Sequence, residues 1–105
     1  MSSLDMTDGE KSSFRVIVAD DDGQIRRRMS DFLKDKGFEV EDVTNGKSLR
    51  EKILAWKPHF IVVDLMLPDG NAIDIINFTK TQETIKDLNM KVLVTSGHNN
   101  AQNVR

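Results

Sequence analysis

The stretch Phe60-Ile61-Val62-Val63-Asp64-Leu65-Met66-Leu67-Pro68-Asp69-Gly70 decides how this chain is read. Its first four residues are apolar and three of them are β-branched, which suits a strand buried on both faces in the middle of a parallel sheet. The run delivers one carboxylate, Asp64, to a turn. In open parallel sheets, ligands bind beyond the carboxyl ends of the strands, near the point where strand order reverses. Pro68 and the Asp69-Gly70 pair then turn the chain towards a helix. A lone aspartate at a strand end is more often a cap or turn residue than a nucleophile, so Asp64 needs corroboration from elsewhere.

Upstream, Phe14-Arg15-Val16-Ile17-Val18-Ala19 reads as a short strand ending in Asp20, Asp21 and Asp22, a cluster of like charges that repels itself. Asp22 fits the N-cap of a following helix; capping explains one carboxylate and leaves two that call for a cation. Ile25, Met29, Phe32 and Leu33 recur at helical spacing and predict an amphipathic helix packed on the sheet and stopped by Gly37. Arg26-Arg27-Arg28, the one basic run, reads as its solvated side. Phe38, Val40 and Val43 alternate imperfectly with Glu39, Glu41 and Asp42, as in a strand near the sheet edge.

Leu49, Ile53 and Trp56 predict a second helix over Lys47 to Lys57, stopped by Pro58, with Trp56 in the core. After the strand His59 to Asp64, a third helix turns Ile73 and Ile76 inward, joined by Ile75 and Phe78; its polar end, Thr79 to Asn89, has no clear boundary. Lys91-Val92-Leu93-Val94-Thr95 is a fourth strand, leading into Ser96-Gly97-His98. Strands alternating with helices imply an α/β fold: a doubly wound parallel sheet with helices on both faces.

At 105 residues one domain is expected, with Met1 to Ser13 a polar tail and residues 14–105 the folded unit. A net charge of −2 offers no nucleic-acid surface, and no apolar run is long enough to span a membrane. The chain has no cysteine, so disulfides and thiolate metal sites are excluded; with no secretory signal visible, the cytoplasm is favoured. His59 and His98 fall at opposite ends of their strands and read as turn or surface residues.

Parallel strands all end on the same side, which brings Asp20, Asp21, Asp64 and Ser96 to one rim. Crowded carboxylates suit a hard cation, and Mg²⁺ takes a few carboxylate oxygens while keeping water and phosphate ligands. A phosphoryl group is the natural second guest. With the negative charge screened, a carboxylate can attack phosphorus and form an aspartyl phosphate, and the Ser96 hydroxyl can donate to a phosphoryl oxygen.

Three motifs, V-I-V-A-D-D-D, V-V-D-L-M-L-P-D-G and V-L-V-T-S-G, occur in an order and spacing that resembles the phosphoacceptor receiver domain of two-component response regulators, similar in layout to the bacterial chemotaxis regulator. The resemblance covers roughly Phe14 to Ser96. It implies a flavodoxin-like receiver fold with strand order 2-1-3-4, the fifth strand and last helix missing. By position, Asp64 resembles the phosphoacceptor, Asp20 and Asp21 the acidic metal-binding pair, Met66 the residue whose backbone carbonyl meets Mg²⁺, and Ser96 the switch hydroxyl. The implied partner is a histidine kinase or histidine phosphotransfer protein, and the implied role is signalling, with no enzymatic activity beyond the domain's own phosphorylation and dephosphorylation.

The chain departs from the family pattern in several places. Ala72 stands where a glycine is common, and Lys91 where many members have proline. Arg105 is reached before a fifth strand and its lysine, for which Lys91 and Arg105 are poor substitutes. The fourth strand is then expected to be an open edge, forfeiting about 2–4 kcal/mol of apolar burial and inviting self-association. Two alternatives stay open: a degenerate or truncated receiver acting as a phosphorylation-independent interaction or dimerisation module, and a metal-dependent phosphatase with an aspartate nucleophile. The latter chemistry usually wants a second aspartate two residues on, where Met66 stands.

Overall fold

The structure, a computed structural model, describes residues 14–95. The expected tail, the candidate Ser96, and His98 and Arg105 lie outside the described residues. The elements are β1 (Arg15–Ala19), α1 (Gly23–Asp35), β2 (Glu39–Val43), α2 (Gly46–Trp56), β3 (Phe60–Asp64), β4 (Met66–Leu67), β5 (Gly70–Asn71), α3 (Ala72–Lys80) and β6 (Lys91–Thr95). The strand expected as the fourth is thus β6, because a two-residue hairpin, β4–β5, stands between it and β3.

The main sheet is parallel, in the order β2-β1-β3-β6, which is the doubly wound flavodoxin-like receiver arrangement. Strand order reverses between β1 and β3, so the chain leaves that junction towards β2 on one side and β6 on the other. Residues alternate across the pleat. Ile17, Ala19, Ile61 and Val63 join Leu49 and Ile53 of α2 and Ala72 and Ile76 of α3 in the main core, while Val16 and Val62 point to the opposite face, where Leu33 of α1 sits.

Three expectations about buried faces need correcting. Phe32 is 60 % exposed, and the buried position of α1 is Ser30. The stripe facing the sheet is centred between Met29, Leu33 and Ser30, and Phe32 falls past its edge, where the Lys36 ammonium stands 5.3 Å from the ring centroid. On α3 the buried stripe runs through Ala72, Ile76 and Thr79 with Ile75 partly buried, an i, i+4, i+7 pattern that leaves Ile73 and Phe78 exposed. Third, β3 is buried on one face only: Ile61 and Val63 are covered, whereas Phe60 and Val62 are half-buried along a groove shared with Leu33, Phe38 and Leu93.

Local chemistry explains where the elements stop. Lys36 caps α1, and Gly37 follows with φ 99°. Lys57 caps α2 with a left-handed φ of 52°, and Pro58, which disfavours the right-handed helical region for the residue before it, keeps the helix from continuing. α3 ends at Lys80, and the polar segment beyond it is a series of turns pinned by Ile85 and Met90, both buried. Arg26 also departs from expectation: it is half-buried, its Nη1 donating to the Asp20 carbonyl at 3.0 Å and its Nε meeting Asp42 at 3.3 Å. Arg27 and Arg28 are exposed.

Candidate functional site

Asp20 and Asp64 leave the carboxyl ends of β1 and β3, the two strands that flank the reversal of strand order. One carboxylate oxygen from each of Asp20, Asp21 and Asp64 lies within 4.8 Å of the others. Asp20 and Asp64 are each 2 % exposed and Asp21 is exposed, so the group has a buried floor and an open side. The sequence brought these three residues to one rim, and the structure places them together.

Each carboxylate is set by backbone. The Asp20 N–H donates to the Val43 carbonyl at 3.1 Å, extending the β1–β2 ladder by one residue, and Asp20 Oδ1 accepts from the Asp22 N–H at 2.9 Å. Asp22 is the N-cap of α1, accepting from Gln24 and Ile25 at 2.9 and 3.1 Å, as its place before the helix predicts. Beyond Asp64, the Leu65 N–H donates to the Thr95 carbonyl, and the Leu65 carbonyl accepts from Ala72, each at 2.8 Å. Met66 pairs with Asn71 in the β4–β5 hairpin. Asn71 then caps α3 by accepting from Ile73 and Asp74. Ala72 enters that helix fully buried and at ordinary φ, so alanine meets no backbone strain there.

Asp64 Oδ2 is buried and accepts no hydrogen bond among the described residues. Nor does Asp64 or Asp21 have an ion-pair partner there. A buried ionised oxygen without a partner is unfavourable by several kcal/mol, and a hard divalent cation is the chemical complement of such a set. The residues present therefore fit Mg²⁺. Lys91 does not serve this site: it pairs with Phe60 at the amino end of β3, while Asp64 pairs with Thr95 at the other. His59 is also remote, its Nδ1 accepting from the Arg15 N–H at 2.9 Å at the start of the sheet.

Asp69, read from sequence as a turn residue only, makes contacts that no local spacing signals. Its Oδ1 and Oδ2 accept from the Gly46 and Lys47 N–H groups at 2.6 and 3.0 Å. These bonds join the turn after Asp64 to the start of α2.

Residues 16–105 match the response regulator receiver domain family. The chemotaxis protein CheY of Thermotoga maritima is 34 % identical over 84 residues, which cover 78 % of this chain and 66 % of that protein. The DNA-binding transcriptional regulator NtrC of Rhizobium meliloti is 32 % identical over 84 residues, 80 % of this chain but only 16 % of the relative. The chain thus spans less than two thirds of the length of these curated relatives. Among solved structures, the chemotaxis response regulator CheY4 of Vibrio cholerae superposes with a TM-score of 0.69 at 23 % identity, over 86 % of this chain and 75 % of that one. A response regulator receiver domain from Methanoculleus marisnigri gives 0.70 at 20 % identity, over 88 % and 78 %. Fold, acidic cluster and family match agree, and the chain belongs to the response regulator receiver domain family of two-component signalling.

Proposed function

We propose that this receiver accepts a phosphoryl group on Asp64 from a histidine kinase or histidine phosphotransfer protein, with Mg²⁺ held by Asp20, Asp21, Asp64 and the Met66 backbone carbonyl. The observation that carries the reading is the buried Oδ2 of Asp64, which accepts no hydrogen bond among the described residues, beside two further carboxylates. A carboxylate oxygen of Asp64 attacks phosphorus; the new P–O bond forms as the P–N bond of the phosphohistidine breaks, and the leaving imidazole takes up a proton. Bound Mg²⁺ supplies neutralisation of the phosphoryl oxygens. Ser96, outside the described residues, is read as the hydroxyl that donates to a phosphoryl oxygen. The role is that of a cytoplasmic signalling component spanning residues 14–105 after a tail, and neither nucleic acid nor a membrane enters it. No helix among the described residues is long and apolar enough to cross a membrane.

The test is labelling with acetyl phosphate or a phosphorylated partner, read by intact and peptide mass. Label on Asp64, lost in a folded Asp64→Asn variant, is the expected result; an unchanged mass increment in that variant contradicts the assignment. A second reading, a phosphorylation-independent interaction module that self-associates, is favoured by β6. Among the described residues this strand pairs only with β3, and Leu93 is 61 % exposed with Val92 and Val94 also exposed. A parent protein that is never labelled but associates through β6 selects that reading.

A further inference from the structure

The N-terminus of α2 is satisfied from two separate parts of the chain. Asn45, its N-cap, accepts from the Ser48 N–H at 2.8 Å, which is local. The two preceding amides, Gly46 and Lys47, donate to Asp69, at the tip of the β4–β5 hairpin. On its other side the same corner is tied to the acidic cluster, because the Val43 carbonyl at the end of β2 accepts from the Asp20 N–H. A path therefore runs from Asp20 through Val43 and the start of α2 to Asp69, and back along the hairpin to Met66 and Asp64.

We propose that Asp69 is a positioning residue for the acidic pocket, tying the hairpin tip to α2 so that Asp64 and the Met66 backbone stand in register with Asp20 and Asp21. The inference rests on the phosphoacceptor reading of that pocket. A hairpin of two residues a side is too short to hold its own geometry. Its ladder fixes Met66 against Asn71 and Leu67 against Gly70, and neither bond relates the hairpin to β1 or β2. The two bonds to Asp69 tie it instead to the start of α2, just past β2, and they are of the strong kind, amides at a helix N-terminus donating to a carboxylate. The close approach is built into the backbone: a Cβ on Gly46 would meet both the Ile75 side chain and Asp69 Oδ1.

Asp69→Ala and Asn45→Ala both strip hydrogen bonds from the same helix end, but only the first cuts the link to the hairpin. Mg²⁺ alone, titrated into the full chain and followed by amide shifts, is expected to bind about tenfold more weakly to Asp69→Ala and within about twofold of the parent to Asn45→Ala. Asp69→Asn, which keeps one acceptor, falls between them. Equal Mg²⁺ affinity in Asp69→Ala and Asn45→Ala overturns the inference, since capping alone then explains Asp69. If the parent does not bind Mg²⁺, the reading of the pocket fails, and the metal-free spectrum still decides this point. Displaced Leu65 and Met66 amides in Asp69→Ala but not in Asn45→Ala support it; unmoved amides overturn it. Should Asp69→Ala fail to fold, Asp69→Asn carries the same comparison.

Discussion

Gly46 and Asp69, 23 residues apart in sequence, are joined by a 2.6 Å hydrogen bond from the Gly46 N–H to Asp69 Oδ1. The bond holds the Asp69 carboxyl below its ordinary value of 3.8, with the Lys47 N–H and the charge of Arg50 acting in the same direction and desolvation opposing them. A depressed carboxyl stabilises the fold above the unfolded pKa and loses that contribution as pH falls through the folded one. Acid titration should therefore release the Gly46 and Lys47 amides together at a pH below 3.8, read as loss of hydrogen-exchange protection. Asp69→Asn should abolish that step, and an unchanged acid profile in this variant would show that the contact contributes nothing.

Glycine at position 46 is favoured by contact rather than by backbone angle, since a Cβ there would have to displace the ends of two side chains. Alanine is the better helix former by about 1 kcal/mol, but its Cβ would run into Ile75 and Asp69. Overpacking of this kind is unfavourable by about 1–3 kcal/mol, so Gly46→Ala should be destabilising in urea unfolding. Gly23→Ala is the control. There the nearest atom to a new Cβ is Arg26 Nη2 at 3.9 Å, and stability should hold or rise by about 0.5 kcal/mol. Equal effects at the two glycines would falsify the steric account.

Mg²⁺ should bind with a dissociation constant in the high micromolar to millimolar range, about −4 to −5 kcal/mol, because the ion keeps much of its water. Asp21→Ala should weaken it most while leaving the buried pair, Asp20 and Asp64, in place. Amide shifts that ignore Mg²⁺, or that gather away from the ends of β1 and β3, would rule the site out.

Among the described residues β6 is an edge of the sheet, and this leads to a concentration-dependent prediction. Exposed apolar strands recruit another chain by backbone pairing, and Val92, Leu93 and Val94 are exposed in sequence. Sedimentation across a concentration series should show self-association, reduced in Leu93→Lys, which puts a charge on the most exposed of the three. A monomer at high concentration would show that the edge is covered.

The order of the three helices and four main strands, the parallel α/β class, the acidic cluster and the Asp22 cap were legible in the sequence because each rests on short-range chemistry: an apolar run sets a strand, a helical repeat sets an amphipathic face, and a side chain caps amides two or three residues on. Which residues of a stripe are buried was not legible in the same way. Phe32 and Phe78 are as apolar as their neighbours, and each was left exposed by a rotation of the helix that only packing against the sheet decides. The half-open face of β3 likewise depends on what stands beside Val62, which its own composition does not encode. Asp69 marks the limit most clearly: as sequence it is half of an Asp-Gly turn, and it reaches Gly46 and Lys47 only because the order β2-β1-β3 sets the corner after β2 beside the turn after β3. Hydrogen bonds across more than twenty residues depend on where the sheet puts their ends, so the acidic residues could be named from the sequence, whereas the tie between their loops was decided by the tertiary structure.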